Sequence, residues 1–317
     1  MRLPAIVWDQ HTCATLRPDA DLSPLSEFRR NRADFVSLNV GVDFSELGDV
    51  LRTIAGFRAW LEARAGEFRL VATVDDVLAA REQGKLAVAF DLEGIAWIGS
   101  DLDLIDLLAQ EGVRTMALTY NATNAFASGC AGEDTGLTTL GRDAVAAMNA
   151  AGVVVDCSHT ARRATLQIME ISASPVIFSH SNPATVWPHF RNIDDDQIRA
   201  CAATGGVIGI NGVNWFLGSR EASAEAIVRE IEYVGELVGF DHVGIGLDYL
   251  FDRADADVVI AAWPELVDQR IGEFSFAGPD ALPEIERHLL AHGYDTETAR
   301  KVMGGNFLRV ASSVWAG

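Results

Sequence analysis

Short, nearly continuous hydrophobic runs recur along the chain, and segments with helical periodicity separate them. Eight such runs lie at residues 5–9, 35–41, 86–91, 115–119, 153–157, 175–179, 206–210 and 242–247. Runs that are apolar throughout are typical of parallel strands covered on both faces. Helical periodicity is found at Leu102–Gln110, Gly141–Ala151, Ala161–Ile171 and Ala222–Val238. Strand and helix repeated eight times predict an α/β fold, a TIM-type (β/α)8 barrel, with a doubly wound sheet as the alternative.

The region from Asp252 to Pro283 interrupts this rhythm. It contains the pairs Trp263-Pro264 and Gly278-Pro279, and proline interrupts both helices and strands, so we expect an excursion over the barrel mouth. After it, Pro283–Ala291 and Thr296–Met303 are expected to form closing C-terminal helices. Because no low-complexity tract or proline-rich linker divides the chain, we predict a single barrel domain over residues 1–317.

Composition and charge narrow the range of partners. The chain has 317 residues, 49% of them hydrophobic, which is ample for one large barrel. Its net charge of −20, with only two lysines, argues against nucleic acid as a partner, because binding to a polyanion needs clustered basic residues. The first predicted strand leaves no room for a signal sequence, and no apolar run approaches membrane-spanning length. We therefore expect a cytoplasmic protein without a membrane partner, its four cysteines reduced.

Polar residues gather where the predicted strands end. These residues are His11, Cys13, Glu93, Tyr120, His159, His180, Asn211 and Asp248. In a barrel, polar residues at the carboxyl ends of strands are typical of an active site. Three of the seven histidines occupy such positions, and imidazole together with carboxylate is a ligand mix that suits zinc. The alternative is that each histidine caps a strand and has a structural hydrogen-bond partner.

Eight segments in order along the chain resemble the membrane dipeptidase (renal dipeptidase) family of the amidohydrolase superfamily, of which this chain would be a divergent member. They are Trp8–His11, Asp91–Gly94, Leu118–Asn121, Asp156–His159, Phe178–Ser181, Arg191–Asn192, Gly244–Asp248 and Gly304–Phe307. Because the segments run from the first strand to the last helix, the resemblance covers essentially the whole chain.

The resemblance implies a zinc site that holds one or two ions. Glu93 would bridge the ions, His11 and Cys13 would complete one site, and His159 and His180 the other. A bridging carboxylated lysine, used by related enzymes, is excluded because Lys85 lies at the opposite face and Lys301 lies in a terminal helix.

The same resemblance implies roles for the remaining polar residues. Asp248 would move the proton of the attacking water, Tyr120 would act at the substrate carbonyl, and Arg191 would bind a substrate carboxylate. Asn211 is also assigned to substrate binding, and a homodimer is implied. Two alternatives stay open: Asp248 could orient a ligand histidine, and Arg191 could be a surface residue paired to Asp194, Asp195 or Asp196.

Two positions depart from the family pattern. The family has aspartate where this chain has Cys13, and histidine where it has Tyr120. A thiolate carries the same charge as a carboxylate and binds zinc well, although it makes the ion a weaker Lewis acid. Tyr120 can donate one hydrogen bond to a carbonyl oxygen but brings no positive charge. Alternatively, Cys13 is a small buried residue beside a lost or weak site.

Three functional hypotheses follow. The first is a zinc-dependent hydrolase that cleaves the amide bond of small dipeptides with a metal-activated water. The second is a divergent amidohydrolase that acts on a small amide or lactone, as the changes at Cys13 and Tyr120 allow. The third is a catalytically impaired barrel that binds a small metabolite; the metal content of the protein would distinguish it from the others.

Overall fold

The computed structural model describes residues 6–315, so Ala5, the first residue of the first predicted run, lies outside the described residues. All strand pairs of the sheet are parallel. The strands are β1 (Trp8–Cys13), β2 (Phe35–Val42), β3 (Phe68–Leu70), β4 (Leu86–Glu93), β5 (Val113–Ala117), β6 (Val154–Asp156), β7 (Val176–Phe178), β8 (Val207–Ile210), β9 (Val243–Ile245) and β10 (Tyr249–Leu250). Their order is β10-β1-β2-β4-β5-β6-β7-β8-β9, and β3 pairs with β4.

The strands β9 and β10 are two halves of one pass that closes the barrel. The first half pairs with β8 and the second with β1. Between them the backbone of Leu247 donates to Asp9 Oδ1 over 2.7 Å, and that of Asp248 donates to the carbonyl of His11 over 3.0 Å. Counting this pass once and leaving out β3, eight strands surround the axis, which confirms the predicted TIM-type barrel.

Helices cover the outside of the sheet. They are α1 (Leu25–Arg30), α2 (Leu47–Glu62), α3 (Val74–Glu82), α4 (Asp103–Gln110), α5 (Thr139–Ala150), α6 (Arg162–Ile171), α7 (Asp195–Ala203), α8 (Asn214–Leu217), α9 (Ala224–Val238), α10 (Arg253–Ala262), α11 (Ala281–Ala291), α12 (Thr296–Arg300) and α13 (Asn306–Val314). The four predicted helical segments correspond to α4, α5, α6 and α9, with ends within two residues. Within residues 6–315, none of these helices has both the length and the apolar character to cross a bilayer.

The end of the barrel opposite the mouth is sealed by the C-terminal helices. After α12 a π-turn, Lys301–Gly305, leads into α13, whose Phe307 joins the inner core with Trp8 and Phe35. Asn306 Nδ2 donates to the carbonyls of Phe240 and Val243 over 2.8 Å. The expected closing helices are confirmed.

The excursion predicted between Asp252 and Pro283 lies over the mouth. It contains α10, which the sequence pattern did not indicate. A separate apolar cluster joins this region to α8: Phe274 and Leu266 pack there with Trp215 and Phe216. A backbone bridge between Val213 and Phe276 fixes the excursion to the chain after β8. The excursion is therefore a packed wall of the mouth.

Close packing at the barrel mouth leads to a first prediction, on stability. A Cβ atom added at Gly246 would lie 1.9 Å from the carbonyl oxygen of Ser179, whereas one added at Gly66 would meet nothing within 4 Å. We expect Gly246→Ala to lower the free energy of unfolding by about 1–3 kcal/mol through overpacking, and hence the melting temperature by roughly 2–5 °C. Gly66→Ala is the control, and equal melting temperatures for the two variants would contradict the prediction.

Candidate active site

Four polar side chains meet at the carboxyl ends of the strands. His11 comes from β1, Glu93 is the last residue of β4, and His159 and His180 follow β6 and β7. The Nε2 atoms of His159, His180 and His11 lie 2.8, 3.4 and 3.5 Å from Glu93 Oε1. All four side chains are buried. The structure thus brings together the ligands that the sequence analysis singled out.

Cys13, the residue that departs from the family pattern, lies in the same cluster. Its Sγ is 3.3 Å from His11 Nε2. Two groups of three possible metal ligands therefore share Glu93: one with His11 and Cys13, the other with His159 and His180, the ligand atoms of each lying within 4.8 Å of one another. Nitrogen, sulfur and oxygen donors at such spacing are the set that zinc prefers in proteins.

Each histidine of the cluster is held through its other ring nitrogen. Nδ1 of His11 lies 3.2 Å from Asp91 Oδ1, and Nδ1 of His159 lies 2.7 Å from Asn121 Oδ1. Nδ1 of His180 lies 2.7 Å from Ser179 Oγ, which in turn donates to Asp156. Acceptors at Nδ1 leave the Nε2 lone pairs directed at Glu93. The residues present therefore fit a divalent metal ion.

The sequence analysis did not assign roles to these supporting residues. A signal was present, because Asp91 precedes Glu93 by two positions on one strand, and residues two apart point to the same face of a sheet. Asn121 and Asp156 likewise belong to the segments that carried the family resemblance. Which oxygen atom accepts a hydrogen bond from each histidine depends on tertiary packing, and the sequence pattern does not predict it.

The electrostatics of the cluster favour ligation. Burial opposes ionisation of Glu93, but charge attraction and hydrogen bonds from His11 and His159 hold its pKa well below the usual range. Burial and the charge of Arg191 lower the pKa of His159 to about 4. Burial also places the pKa of His180 well below its usual range. These two imidazoles are neutral at pH 7, as metal ligands must be.

His11 differs from the other two histidines. Burial opposes its protonation, but the charges of Asp91 and Glu93 raise its pKa well above the usual range. Burial raises the pKa of the Cys13 thiol above its usual range. Without a metal ion at this position the thiol keeps its proton; a coordinated metal removes it.

Asp248 stands at the edge of the cluster on strained backbone. Its φ of 58° is in the left-handed region, as are those of Asn121 and His159 at 56° and 64°. Such conformations cluster at functional sites, where the surrounding structure holds them. Asp248 Oδ1 is 3.8 Å from His11 Nε2, and burial raises the pKa of this carboxyl. It can therefore accept a proton next to the cluster.

Asn211 lies behind Asp248. Its Nδ2 donates to Asp248 Oδ2 over 2.9 Å, and its Oδ1 accepts from the backbone of Val213 over 2.6 Å. Asn211 is fully buried, and the described residues that line the mouth cavity include Asp248 but not Asn211. The contact positions the carboxylate; substrate binding by Asn211 stays a prediction.

Arg191 is a buried cation beside the histidines. It is 3% exposed, and its Nη2 lies 3.2 Å from His159 Nε2 and 3.4 Å from the carbonyl of His180. Its guanidinium carbon lies 5.5 Å from the ring centre of Phe216. Within residues 6–315, no carboxylate forms a salt bridge with it.

The alternative of a surface arginine is therefore wrong. Asp194 and Asp196 pair with Arg162, and Asp195 accepts a hydrogen bond from Tyr233. A buried guanidinium without a carboxylate partner is ready to bind an anionic ligand through its fork of donors.

Tyr120 completes the site. Its ring stacks on that of His159, with the centroids 4.4 Å apart. Burial and the charges of Glu93 and Asp248 raise the pKa of its hydroxyl well above the usual range, so the hydroxyl keeps its proton and can donate one hydrogen bond.

A cavity of about 230 Å³ opens onto this cluster. Its polar lining consists mainly of the residues described above: Cys13, Glu93, Tyr120, Asn121, His159, Arg191 and Asp248. The volume lies below the roughly 300–1,000 Å³ of sites for drug-sized ligands, so it suits a small molecule.

The contact between Asp91 and His11 gives a second prediction. We expect Asp91→Asn to reduce metal affinity and activity about 10–100-fold, since loss of a carboxylate behind a ligand histidine has effects of that size. Titration with zinc and a chelator measures the affinity. Asp75→Asn, at an exposed position on α3, is the control; an affinity equal to that of the control would show that the orientation of His11 does not depend on the charge of Asp91.

Comparisons with known proteins show the family of the chain. The model of the family described as membrane dipeptidase (peptidase family M19) matches residues 27–316. The dipeptidase tcpJ of Claviceps purpurea is 28% identical over 278 residues, which are 86% of this chain and 61% of that protein. The chain thus spans about three fifths of the length of that relative.

Two further proteins are similar over most of their length. An uncharacterized protein encoded in the pqqA 5' region of Klebsiella pneumoniae is 34% identical over 263 residues, 79% of this chain and 90% of that protein. The crystal structure of an amidohydrolase from Pseudomonas aeruginosa has a TM-score of 0.90 at 25% identity and covers 98% of this chain and 96% of that chain. The resemblance found in the sequence, to a family of hydrolases, is confirmed. The chain belongs to the membrane dipeptidase family, peptidase family M19.

Proposed function

We propose that this protein is a zinc-dependent dipeptidase. The observation that carries the proposal is the buried Arg191 guanidinium, without a carboxylate partner in the described residues, directly beside a cluster of metal ligands. A small substrate that presents a carboxylate to this guanidinium would have its neighbouring amide bond close to the histidines. Family membership and the dipeptidase tcpJ support the same reaction class.

The ligands of the proposed zinc sites are those of the two groups described above. His159, His180 and Glu93 would hold one ion, and His11, Cys13 and Glu93 would hold the other. Zinc in such a site polarises a carbonyl and lowers the pKa of a bound water toward neutrality. We choose zinc because a site with two imidazoles, or with an imidazole and a thiolate, is softer than magnesium or calcium sites.

The side chains around the cluster have separate tasks in the reaction. Arg191 would bind the substrate carboxylate, and the Tyr120 hydroxyl would donate to the oxygen of the scissile carbonyl. As the water oxygen bonds to the carbonyl carbon, Asp248 would take a proton from the water and deliver it to the amide nitrogen, whose bond to that carbon then breaks. Asn211 would keep Asp248 in position through its 2.9 Å contact.

Metal analysis combined with a dipeptide assay tests the proposal. Protein purified without a chelator should contain one or two zinc ions per chain, hydrolyse dipeptides, lose both properties on dialysis against a chelator, and regain activity with zinc. A protein that contains stoichiometric zinc but cleaves no dipeptide would refute the dipeptidase assignment. A protein without bound metal would favour the impaired, metabolite-binding barrel.

A second function, hydrolysis of another small amide or a lactone, is favoured by one observation. Both residues that depart from the family pattern, Cys13 and Tyr120, line the cavity at the cluster.

The third prediction distinguishes a dipeptidase that has lost activity through these two changes from an enzyme that has changed its substrate. If the chain is a drifted dipeptidase, Cys13→Asp combined with Tyr120→His should raise kcat/KM for dipeptides roughly tenfold or more, with non-additive single effects because both residues act at one site.

The outcome for the double variant decides between the two functions. A double variant that binds two zinc ions without any gain in kcat/KM on a panel of L,L and L,D dipeptides would favour the divergent amidohydrolase.

The homodimer and the cytoplasmic location remain predictions from the sequence. Light scattering of the purified protein tests the first, and fractionation of the source cells tests the second.

A further inference from the structure

We infer that the cavity selects dipeptides with a large apolar side chain, and that Phe44 and helix α10 form the surface that recognises it. This inference rests on the proposed function and adds the substrate class. Its basis is the set of apolar and charged residues that line the cavity.

Away from the metal-ligand cluster, much of the cavity lining is apolar, and this part is called the apolar wall below. It is built chiefly from Leu16, Phe44, Val258, Val259, Leu266 and Phe274. Val259 and Phe274 also pack against the apolar cluster formed by α8 and the excursion. The part of the wall formed by Val259, Leu266 and Phe274 therefore has a small core of its own behind it.

Two residues of this wall expose apolar surface to water. Phe44 is 66% exposed and Val258 is 68% exposed, and they are the most exposed of the large hydrophobic residues in the described part of the chain. Both line the cavity. Removing apolar surface from water is favourable by about 25 cal/mol per Å², so an apolar group that covers either side chain gains binding energy that a polar group does not.

The apolar wall is connected to the reactive end of the cavity. Phe44 meets Tyr120 edge to face, with ring centroids 5.8 Å apart, and Tyr120 stacks on His159. A substrate whose carbonyl lies at Tyr120 therefore extends its side chain along Phe44. The geometry links the size of this side chain to the position of the scissile bond.

The charges around the cavity act against acidic substrates. Among the described residues, Arg191 is the one arginine or lysine that lines the cavity, whereas Glu93, Asp248 and Asp255 line it as carboxylates. Asp255 is held by a 2.7 Å hydrogen bond from Thr15. Once Arg191 binds the terminal carboxylate, an acidic side chain that lies along α10 finds no arginine or lysine in the described lining, and the Asp255 carboxylate of that helix repels it.

A substrate series of similar side-chain size tests the inference. We expect kcat/KM to be at least tenfold higher for Ala-Leu and Leu-Ala than for Ala-Asn and Asn-Ala, and at least a hundredfold higher than for Ala-Asp and Asp-Ala. Equal values for the leucine and asparagine substrates, with hydrolysis of both, would overturn the inference and leave the dipeptidase assignment intact. Failure to cleave any dipeptide by the zinc-loaded enzyme would overturn the proposed function, and the inference with it.

Substitutions in the apolar wall test whether its side chains recognise the side chain of the substrate. Because Phe44 and Val258 are exposed, their replacement by serine leaves the core intact. We expect Phe44→Ser combined with Val258→Ser to reduce the ratio of kcat/KM for Ala-Leu to that for Ala-Asn at least fivefold. Leu290→Ser, which removes an exposed apolar side chain on α11 that does not line the cavity, should leave the ratio unchanged. An unchanged ratio in the double variant would overturn the assignment of this wall.

Discussion

Replacement of His180 by alanine is expected to remove the metal ion held with His159 and Glu93 and to reduce kcat/KM for dipeptides by at least about a thousandfold. The reason is that Lewis acidity contributes several kcal/mol to stabilisation of the transition state, and 4 kcal/mol corresponds to about three orders of magnitude in rate. His180 is fully buried and its Nε2 lies 2.8 Å from that of His159. Inductively coupled plasma mass spectrometry gives the zinc content, and steady-state kinetics gives the rate.

The control for this variant is His288→Ala. His288 lies on α11, partly exposed and hydrogen bonded to Arg287, so its replacement should change neither zinc content nor kcat/KM. Circular dichroism would establish that the His180 variant is folded. A folded His180→Ala protein that keeps its full zinc content would remove this histidine from the proposed site.

Arg191→Lys is expected to lower kcat/KM for a dipeptide about 10–100-fold, since lysine keeps the charge but loses the bidentate geometry that matches a carboxylate. The same variant should change kcat/KM less than about threefold for the C-terminally amidated analogue, which has no carboxylate to bind. The comparison of the two substrates separates loss of recognition from general damage to the site.

Equal losses on both substrates would mean that Arg191 supports the fold through its contacts with His159 and His180 and does not bind substrate. Arg229→Lys provides the control, because Arg229 donates to Leu217 and Glu230 and does not line the cavity. We expect this control to leave both substrates unaffected.

The barrel and the candidate metal ligands were predictable from the sequence because both depend on short-range patterns. Parallel strands covered on two faces must be apolar throughout, and ligands at strand ends follow directly after such runs, as His159 and His180 do. The third strand was missed because Phe68–Leu70 has three residues, one of them arginine, and so forms no hydrophobic run. Its pairing with β4 depends on tertiary contact alone.

Other features of the site depend on contacts that a single sequence does not encode locally. Helix α10 was not indicated because the pairs Trp263-Pro264 and Gly278-Pro279 led us to interpret the whole region as irregular. The role of Asn211 depends on the side chain of Asp248, 37 residues away. The partners of Asp194 and Asp196 likewise depend on Arg162, which pairs with both, so these aspartates do not pair with Arg191.

The strand pass that closes the barrel also makes activity sensitive to partial unfolding. Every residue in the two groups of metal ligands lies at or before position 180, whereas Asp248 reaches the site only when Leu247 bonds to Asp9, 238 residues earlier in the chain. If the proposed roles hold, a molecule in which residues 243–250 have detached would retain an ion held by these candidate ligands but would lack the carboxylate proposed to move the proton. During gentle denaturation, turnover should disappear before the zinc is released, so that metal content overestimates the fraction of working enzyme.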